Sequence, residues 1–319
     1  MVTLALRVIG WTFHSQPYKR KSFHSSTEKT AHFEGSSNGA LPDAKHTFWD
    51  SFDLFFNHRG CGWNWSDGLH VAPQTRPTSS TFSFLMVTLM SAIFHLLAFD
   101  TLHYAVQSFS PSTIGSLSGG SIFDPSMPPF LRYLRSSTIC LFSGFVIYCA
   151  IQTIYDVLTI LGIVIFRQQP IQWPPIFDAP WLSTSLSEFW SKRWHQIFRY
   201  NLGAKPLSLV VGRVGAVIGA FSISGLFHDM GMWGMGKGSE FQTVGGFFVM
   251  MGVGVVLEGM WKKTCGTRVD GWCGRLWTGV WVIGWAHMLI DAWSRRGLIG
   301  SVFFADSVRP SKYFIGFIY

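Results

Sequence analysis

The chain has 319 residues, of which 48% are hydrophobic and only 13% carry a charge. Soluble domains average about 25% charged residues, so this composition excludes an ordinary soluble globular protein. The formal net charge of +8 is explained by cytosolic Lys and Arg facing anionic lipid headgroups, so membrane lipids are predicted partners and nucleic acid is not.

The amino-terminal part of the chain is polar, whereas the rest is dominated by apolar runs. Residues 1–44 are rich in Ser, His and Lys, a composition that predicts a flexible cytosolic segment. Residues 45–319 are predicted to form one membrane-embedded domain. Near its start, the stretch RGCGWNW, residues 59–65, combines glycines suited to sharp turns with tryptophans suited to a membrane interface.

Long apolar stretches predict an all-α, polytopic membrane protein, because crossing a bilayer takes about 20 apolar residues in a helix. A sixth stretch, 298–319, is interrupted by Asp306 and Pro310, so the prediction is five or six transmembrane helices. Lys and Arg gather before the first span, between the second and third, and after the fourth, which predicts that these loops face the cytosol. The five clear spans are 81–99, 138–166, 207–227, 241–261 and 276–293.

The stretch SLSEFWSKRWHQIFRYNL, residues 185–202, predicts an amphipathic helix lying in the membrane surface. Ser185 and Glu188 have the spacing of a capping box, which marks a helix start. A basic helix that only anchors a loop would explain this pattern, except that packing gives no reason for a histidine on the wet face. Helical periodicity puts four polar side chains on that water-facing side: Glu188, Lys192, His195 and Arg199.

The third span ends in SISGLFHDMGMW, residues 222–233, with His228 closing the apolar run. Ionisable groups at membrane depth are costly, and histidine is suited to act as a general base near neutral pH. The alternative is a histidine that is simply solvated at the interface. Packing or interhelical hydrogen bonds are predicted for the other polar residues in or near the spans: His95, Asp156, Glu258, His287 and Asp291.

The five cysteines form no C-x-x-C pair and have no metal-ligand spacing. Neither a metal site nor a disulfide framework is therefore predicted. No bound cofactor is predicted either.

Three motifs, in order, resemble segments of the wax-synthase branch of the membrane-bound O-acyltransferases. RGCGWNW resembles that family's R-G-x-G-W-x-W segment, FWSKRWH resembles its F-W-x-R-R-W-H signature, and SGLFHDM resembles its S-G-x-x-H segment. The similarity extends over about residues 45–293. The members that look most similar are fungal O-acetyltransferases of terpenoid and meroterpenoid pathways, which use acetyl-CoA.

The resemblance implies roles for particular residues. His228 matches the family's catalytic histidine, which would take the proton of an acceptor hydroxyl as that oxygen attacks the thioester of acyl-CoA. His195 matches a second conserved polar position, and it or a backbone amide would stabilise the oxyanion. Lys192, Arg193 and Arg199 would pair with CoA phosphates, although the family usually has arginine where this chain has Lys192.

The predicted function is therefore an acyl-CoA-dependent O-acyltransferase, with acetyl-CoA as co-substrate and a lipophilic hydroxylated terpenoid or meroterpenoid as acceptor. Its predicted location is the endoplasmic reticulum or another endomembrane. One alternative is a long-chain wax-ester synthase, and another is a transporter with Arg213, Asp156 and His228 along its pathway. A third is an inactive shortened relative, because relatives usually carry more apolar helices before the R-G-x-G-W segment. Acyl length, acceptor identity and oligomeric state stay open.

Overall fold

A computed structural model describes residues 18–19, 48, 50–54, 57, 59–66, 70–195, 197, 204–305 and 307–315, with side chains left out at 204–211 and 314–315. The predicted flexible segment 1–44 lies outside these residues apart from Tyr18 and Lys19. Every regular element in the described part of the chain is a helix, which confirms the all-α prediction.

From residue 81 onward, seven α-helices follow one another within the described residues. The third is very short and continues into a five-residue π-helix, Phe189–Arg193, which is called the π-turn below. The helices are α1 Thr81–Ser108, α2 Pro129–Val164, α3 Leu186–Glu188, α4 Ala204–Gly234, α5 Phe241–Cys265, α6 Gly271–Arg295 and α7 Pro310–Ile315.

Four of these helices are long and apolar enough to cross a membrane: α1, α2, the Gly212–Gly234 part of α4, and α5. The predicted span 276–293 forms α6, which has 25 residues but is not among the four. The described part of 298–319 contains only the six-residue α7, which is far shorter than the roughly 20 residues a span needs. A sixth spanning helix is therefore not found in the described residues.

The long helices pack as neighbours around two apolar clusters. α1 packs against α2, α4 against α5, α5 against α6, and α6 in turn against α2. One cluster joins α1, α2 and the carboxyl end of α6, and the other joins α4, α5 and α6. Many large apolar side chains of these helices are exposed on the outer surface, as expected of helices that face lipid.

Helices α2 and α6 run antiparallel. The carboxyl end of α6 lies against the α1–α2 loop, where the Ser294 hydroxyl donates a hydrogen bond to the Gly120 carbonyl (2.6 Å). The amino end of α6 lies against the loop before α3, since a side chain at Gly274 would meet the Thr184 carbonyl. α2 begins at the first of these loops and ends at the second, so its direction is opposite to that of α6.

Buried polar residues tie the helices together, as the sequence predicts. Asp156 of α2 accepts hydrogen bonds from Ser91 of α1 (2.7 Å) and from Gln152 (2.9 Å), and it lies 3.8 Å from the Arg76 guanidinium. A buried carboxylate is tolerated when such partners replace its water. Asp156 therefore holds α1 and α2 together.

The RGCGWNW segment is fastened to the loop that leads to α3. The Arg59 guanidinium donates to the carbonyls of Pro174 (2.9 Å) and Pro175 (2.8 Å). Gly60 has φ of +67°, and a Cβ there would lie 2.5 Å from the Trp65 ring, so both the turn and the close approach require glycine. These contacts fix the loop that leads to α3 and, through it, to the π-turn.

Candidate active site

The signature stretch starts as a helix at the predicted residue. The Ser185 hydroxyl accepts a hydrogen bond from the Glu188 amide (3.0 Å), which is the first half of a capping box. The Glu188 carboxylate accepts from the amide of Thr184 (2.8 Å), one residue before the cap. The predicted helix start is thus confirmed.

Glu258 of α5 holds the amino end of this short helix. Its buried carboxylate accepts hydrogen bonds from the amides of Leu186 (2.6 Å) and Ser187 (2.9 Å) and from the Trp277 indole of α6 (3.0 Å). These amides belong to the first turn, which has no helical acceptor for them. One side chain therefore fixes the position of α3 relative to both α5 and α6.

The predicted amphipathic helix over 185–202 is wrong at Trp194 and His195, and its residues 196 and 198–202 lie outside the described residues. The Trp194 amide donates to the Phe189 carbonyl (2.8 Å), a π-type bond that ends the helix, and Trp194 itself is extended. Because the backbone leaves the helix there, His195 is not on the water-facing side that periodicity predicts. It packs instead among aromatic rings, 6.1 Å from the Phe177 centroid and 5.6 Å from that of Trp194.

His228 lies on α4 with a defined tautomer. Its Nδ1 is 2.7 Å from the Ser224 carbonyl oxygen, which can only accept, so Nδ1 carries the proton. In the neutral ring Nε2 then keeps the lone pair that a base needs. The ring packs on Phe248 of α5, with centroids 4.3 Å apart.

The neighbouring acid is not a partner of this histidine. Asp229 accepts from the Ser239 hydroxyl (2.6 Å) and the Glu240 amide (2.7 Å), so it fixes the α4–α5 turn. His228 and Asp229 are adjacent in sequence but do not act as a catalytic histidine–aspartate pair.

His195 and His228 line the same cavity of about 300 Å³, which lies between α2, the π-turn, α4, α5 and α6. Its residues on α6 extend from Arg275 to Trp293, which at the helical rise is about 27 Å. The cavity is therefore elongated. Most of its wall is apolar and aromatic, as in pockets that bind small lipophilic ligands.

The protein keeps His195 uncharged. Burial lowers the pKa of His195 to about 3, and the nearby His228 lowers it further as a second cause. Near neutral pH the ring can thus donate one N–H, but it cannot act as a cation.

We expect this burial to make the protein less stable in acid. Above about pH 6.5 both folded and unfolded chains hold His195 neutral, and below it only the unfolded chain readily takes up the proton. From pH 6.5 toward 4, the free energy of unfolding of the native chain should therefore fall by up to about 1 kcal/mol per pH unit more than that of His195→Gln. Unfolding in detergent micelles at several pH values measures the two slopes, and parallel slopes would contradict the prediction.

Of the three cations that are predicted to bind phosphate, the two that the structure describes differ in their exposure and in their partners. Lys192 is exposed, and Arg199 lies outside the described residues. Arg193 is not free to bind a ligand, because its guanidinium donates to the Glu188 carboxylate (2.8 Å) and to the Asp178 carbonyl (3.0 Å). The prediction that Arg193 pairs with phosphate is therefore at odds with its contacts.

We expect Arg193→Ala to reduce stability rather than affinity for acyl-CoA. The substitution leaves a half-buried carboxylate and a loop carbonyl without their donor, which should lower the free energy of unfolding by about 1–3 kcal/mol. Lys192→Ala, at the preceding exposed position, should change it by less than about 0.5 kcal/mol. Thermal unfolding and the KM for acyl-CoA, measured for both variants, separate the roles. A raised KM with unchanged stability in Arg193→Ala would restore the phosphate role.

Arg275 is a cavity residue that sequence reasoning did not single out. Among the described residues that line the cavity it is the one Lys or Arg, and its guanidinium lies 5.3 Å from the Trp272 ring centroid. The run of lining residues at helical spacing after it, with Thr278, Val282 and Ala286, is the signal that could have identified it. No cluster of three or more metal-ligating side chains occurs in the described part of the chain.

Residues 173–250 match the sequence model of the membrane bound O-acyl transferase family. The chain is 25% identical to an O-mevalon transferase of Aspergillus niger over 92% of this chain and 71% of that relative. It is 26% identical to an acetyltransferase of Rhodocybe pseudopiperita over 72% of this chain and 62% of the relative. A long-chain-alcohol O-fatty-acyltransferase of Simmondsia chinensis is 33% identical over 30% of each chain.

The matched segment supplies both histidines of the site and part of the cavity wall, whereas the lining residues on α2 and α6 lie outside it. It contains the loop before α3, the π-turn with His195, and α4 with His228. The chain spans 62% of the fungal acetyltransferase and 30% of the plant enzyme. The predicted resemblance is confirmed: the chain is similar to the membrane bound O-acyl transferases over residues 173–250, and both histidines of the cavity lie in that segment.

Proposed function

We propose that the protein is an O-acyltransferase that moves an acyl group from acyl-CoA to the hydroxyl of a lipophilic alcohol. The observation that carries this proposal is the meeting of His195 and His228 in one apolar, elongated cavity. A solvated histidine at the interface, the alternative for His228, would not line an apolar cavity together with a second histidine.

His228 is proposed to be the general base. With Nδ1–H donated to the Ser224 carbonyl, Nε2 accepts the proton of the acceptor hydroxyl. The hydroxyl oxygen attacks the thioester carbonyl, the carbon–sulfur bond breaks, and the proton is returned to the leaving CoA thiolate. No covalent enzyme intermediate is needed, because both substrates lie in the cavity together.

His195 is proposed to donate a hydrogen bond to the oxyanion that forms during attack. Its low pKa keeps it neutral, and a neutral imidazole still has one N–H to donate. The apolar cavity wall strengthens this bond because it excludes competing water. It also protects the thioester from hydrolysis.

The donor is proposed to enter from the cytosolic side, where Lys192 is exposed and Arg275 reaches the cavity. Either cation could pair with a CoA phosphate. The cavity of about 300 Å³ is at the small end of ligand pockets, which favours a short acyl group such as acetyl. The relatives named for acetyl transfer point the same way, in an endomembrane such as the endoplasmic reticulum.

The cavity argues against both the wax-ester alternative and the transporter alternative, for different reasons. A long-chain donor with a long-chain alcohol, as the plant relatives' names describe, would place two long chains side by side, and a cavity of about 300 Å³ is small for both although it is elongated. The transporter alternative needs Arg213, Asp156 and His228 on one pathway. Of these only His228 lines the cavity, while Asp156 is committed to α1 and Arg213 is exposed on α4.

The test is transfer of labelled acetyl from acetyl-CoA to a panel of hydroxylated terpenoids, using membranes that contain the protein. Palmitoyl-CoA and n-hexadecanol form the second arm, and membranes without the protein are the blank. Ester formation with acetyl-CoA supports the proposal, ester formation only with palmitoyl-CoA favours the wax-ester alternative, and no ester in either arm contradicts both.

A further inference from the structure

The cavity has free space where Gly144 of α2 and Gly279 of α6 face it, and this part of the cavity is called the glycine level below. Gly144 of α2 and Gly279 of α6 both line it, and a Cβ added to either would have no atom within 4 Å. The two glycines lie at similar depth, because α2 and α6 are antiparallel and Ser137 contacts His287 (3.2 Å). From that contact, Gly144 is seven residues along α2 and Gly279 eight residues back along α6, about 10 to 12 Å in each case.

Close helix packing accounts for some glycines of this protein; of the helical glycines with open space around them, only Gly144 and Gly279 line the cavity among the described residues. A Cβ on Gly225 would lie 2.8 Å from the Gly245 backbone, and one on Gly254 would meet Leu186. Glycine is less favourable than alanine inside a helix, so a packing reason would be expected. At Gly144 and Gly279 the missing side chains leave space in the cavity instead.

Elsewhere the cavity is bordered by large aromatic side chains. Tyr148 stands one turn beyond Gly144 on α2, and Trp190 and Phe248 face the cavity from the π-turn and α5. An unbranched alkyl chain is narrow enough to fit between these aromatic side chains. A rigid ring system needs a wider level, and two glycines on neighbouring helices provide one.

We propose that Gly144 and Gly279 determine which acceptor the cavity admits, and that they admit an alcohol with a rigid, ring-containing body. This inference rests on the proposed function for the identity of the ligand as an alcohol. In this proposal the pantetheine arm of acyl-CoA enters from Arg275. The free space beside Gly144 and Gly279 lets a bulky acceptor lie next to that arm. Neither glycine has a side chain that could take part in the reaction, so their role is selection by size.

Replacement by leucine tests this directly. Neither glycine has a positive φ, and neither has a neighbour that a side chain would strike, so Gly144→Leu and Gly279→Leu should fold. Gly284→Leu is the matched control, because Gly284 is on the same helix with equally open space but does not line the cavity. The probes are borneol, which is bicyclic, and n-decanol, which is linear and has the same number of carbons.

Two readouts are taken for each chain: the rate of acetyl transfer to each alcohol, and binding of each alcohol by quenching of tryptophan fluorescence. Trp181, Trp190 and Trp293 line the cavity and report binding without any chemistry. We expect each cavity variant to weaken borneol binding and transfer by about tenfold or more. Its effect on n-decanol should be within about twofold, and Gly284→Leu should behave as the native chain.

The outcomes separate the two proposals. Selective loss of borneol binding, with no transfer by any chain, would leave this inference standing and remove the proposed function. Equal changes for both alcohols, no change for either, or a native chain that binds neither alcohol would overturn the inference. Transfer to both alcohols by all variants alike would keep the function and remove the selection by these glycines.

Discussion

The His228→Ala variant should lose transfer activity by about 10²- to 10⁴-fold, the usual contribution of a positioned general base. The Nδ1–H bond to the Ser224 carbonyl orients the ring and leaves Nε2 as the basic nitrogen. Alanine removes that nitrogen but leaves the helix intact, because alanine is the best helix former. The free energy of unfolding should therefore change much less than the rate.

His287→Ala is the matched control for this experiment. His287 also donates Nδ1–H to a carbonyl of its own helix, that of Gly284 at 2.8 Å, but it does not line the cavity. It should keep near-native activity. Single-turnover rates with labelled acetyl-CoA, at matched amounts of folded protein, measure both variants. If His228→Ala stays within about twofold of the native rate, another group is the base.

The parts of the fold that the sequence predicts well are those set by single local properties. Apolar runs of sufficient length predict α1, α2, α4 and α5, since nothing but a helix satisfies its backbone in lipid. His228 is found for a related reason: an ionisable side chain at the end of an apolar run stands out. The start of α3 follows from the Ser185 hydroxyl, whose bond to the Glu188 amide is local.

The parts that the sequence does not predict depend on contacts between distant segments. Periodicity assumes a regular helix, so it cannot anticipate that the π-turn and the extended Trp194 carry His195 into the cavity. Charge alone cannot distinguish Arg193, which is engaged with Glu188, from the exposed Lys192. Gly144 and Gly279 could not be predicted either, because the sequence does not show which glycines have another helix packed against them and which face open space.

Glu258 is a further residue whose importance appears only from long-range contacts, and its loss should damage both stability and activity. Its carboxylate is the acceptor for the amides of Leu186 and Ser187 and for the Trp277 indole. Glu258→Ala leaves three donors without an acceptor in a buried region, which should lower the free energy of unfolding by about 3 kcal/mol or more. Glu258→Gln keeps one acceptor oxygen, so its free energy of unfolding should lie between those of the native chain and of Glu258→Ala.

The effect on activity distinguishes a positioning role from a purely structural one. Because Glu258 fixes α3, and His195 follows the π-turn that continues from α3, loosening this anchor should lower kcat by about tenfold or more even in the fraction that stays folded. Glu240→Ala is the control, since Glu240 at the opposite end of α5 makes exposed ion pairs with Arg295 and Arg296 that are worth little. Native kcat per folded molecule in Glu258→Gln, despite lowered stability, would mean that Glu258 supports the fold without positioning His195.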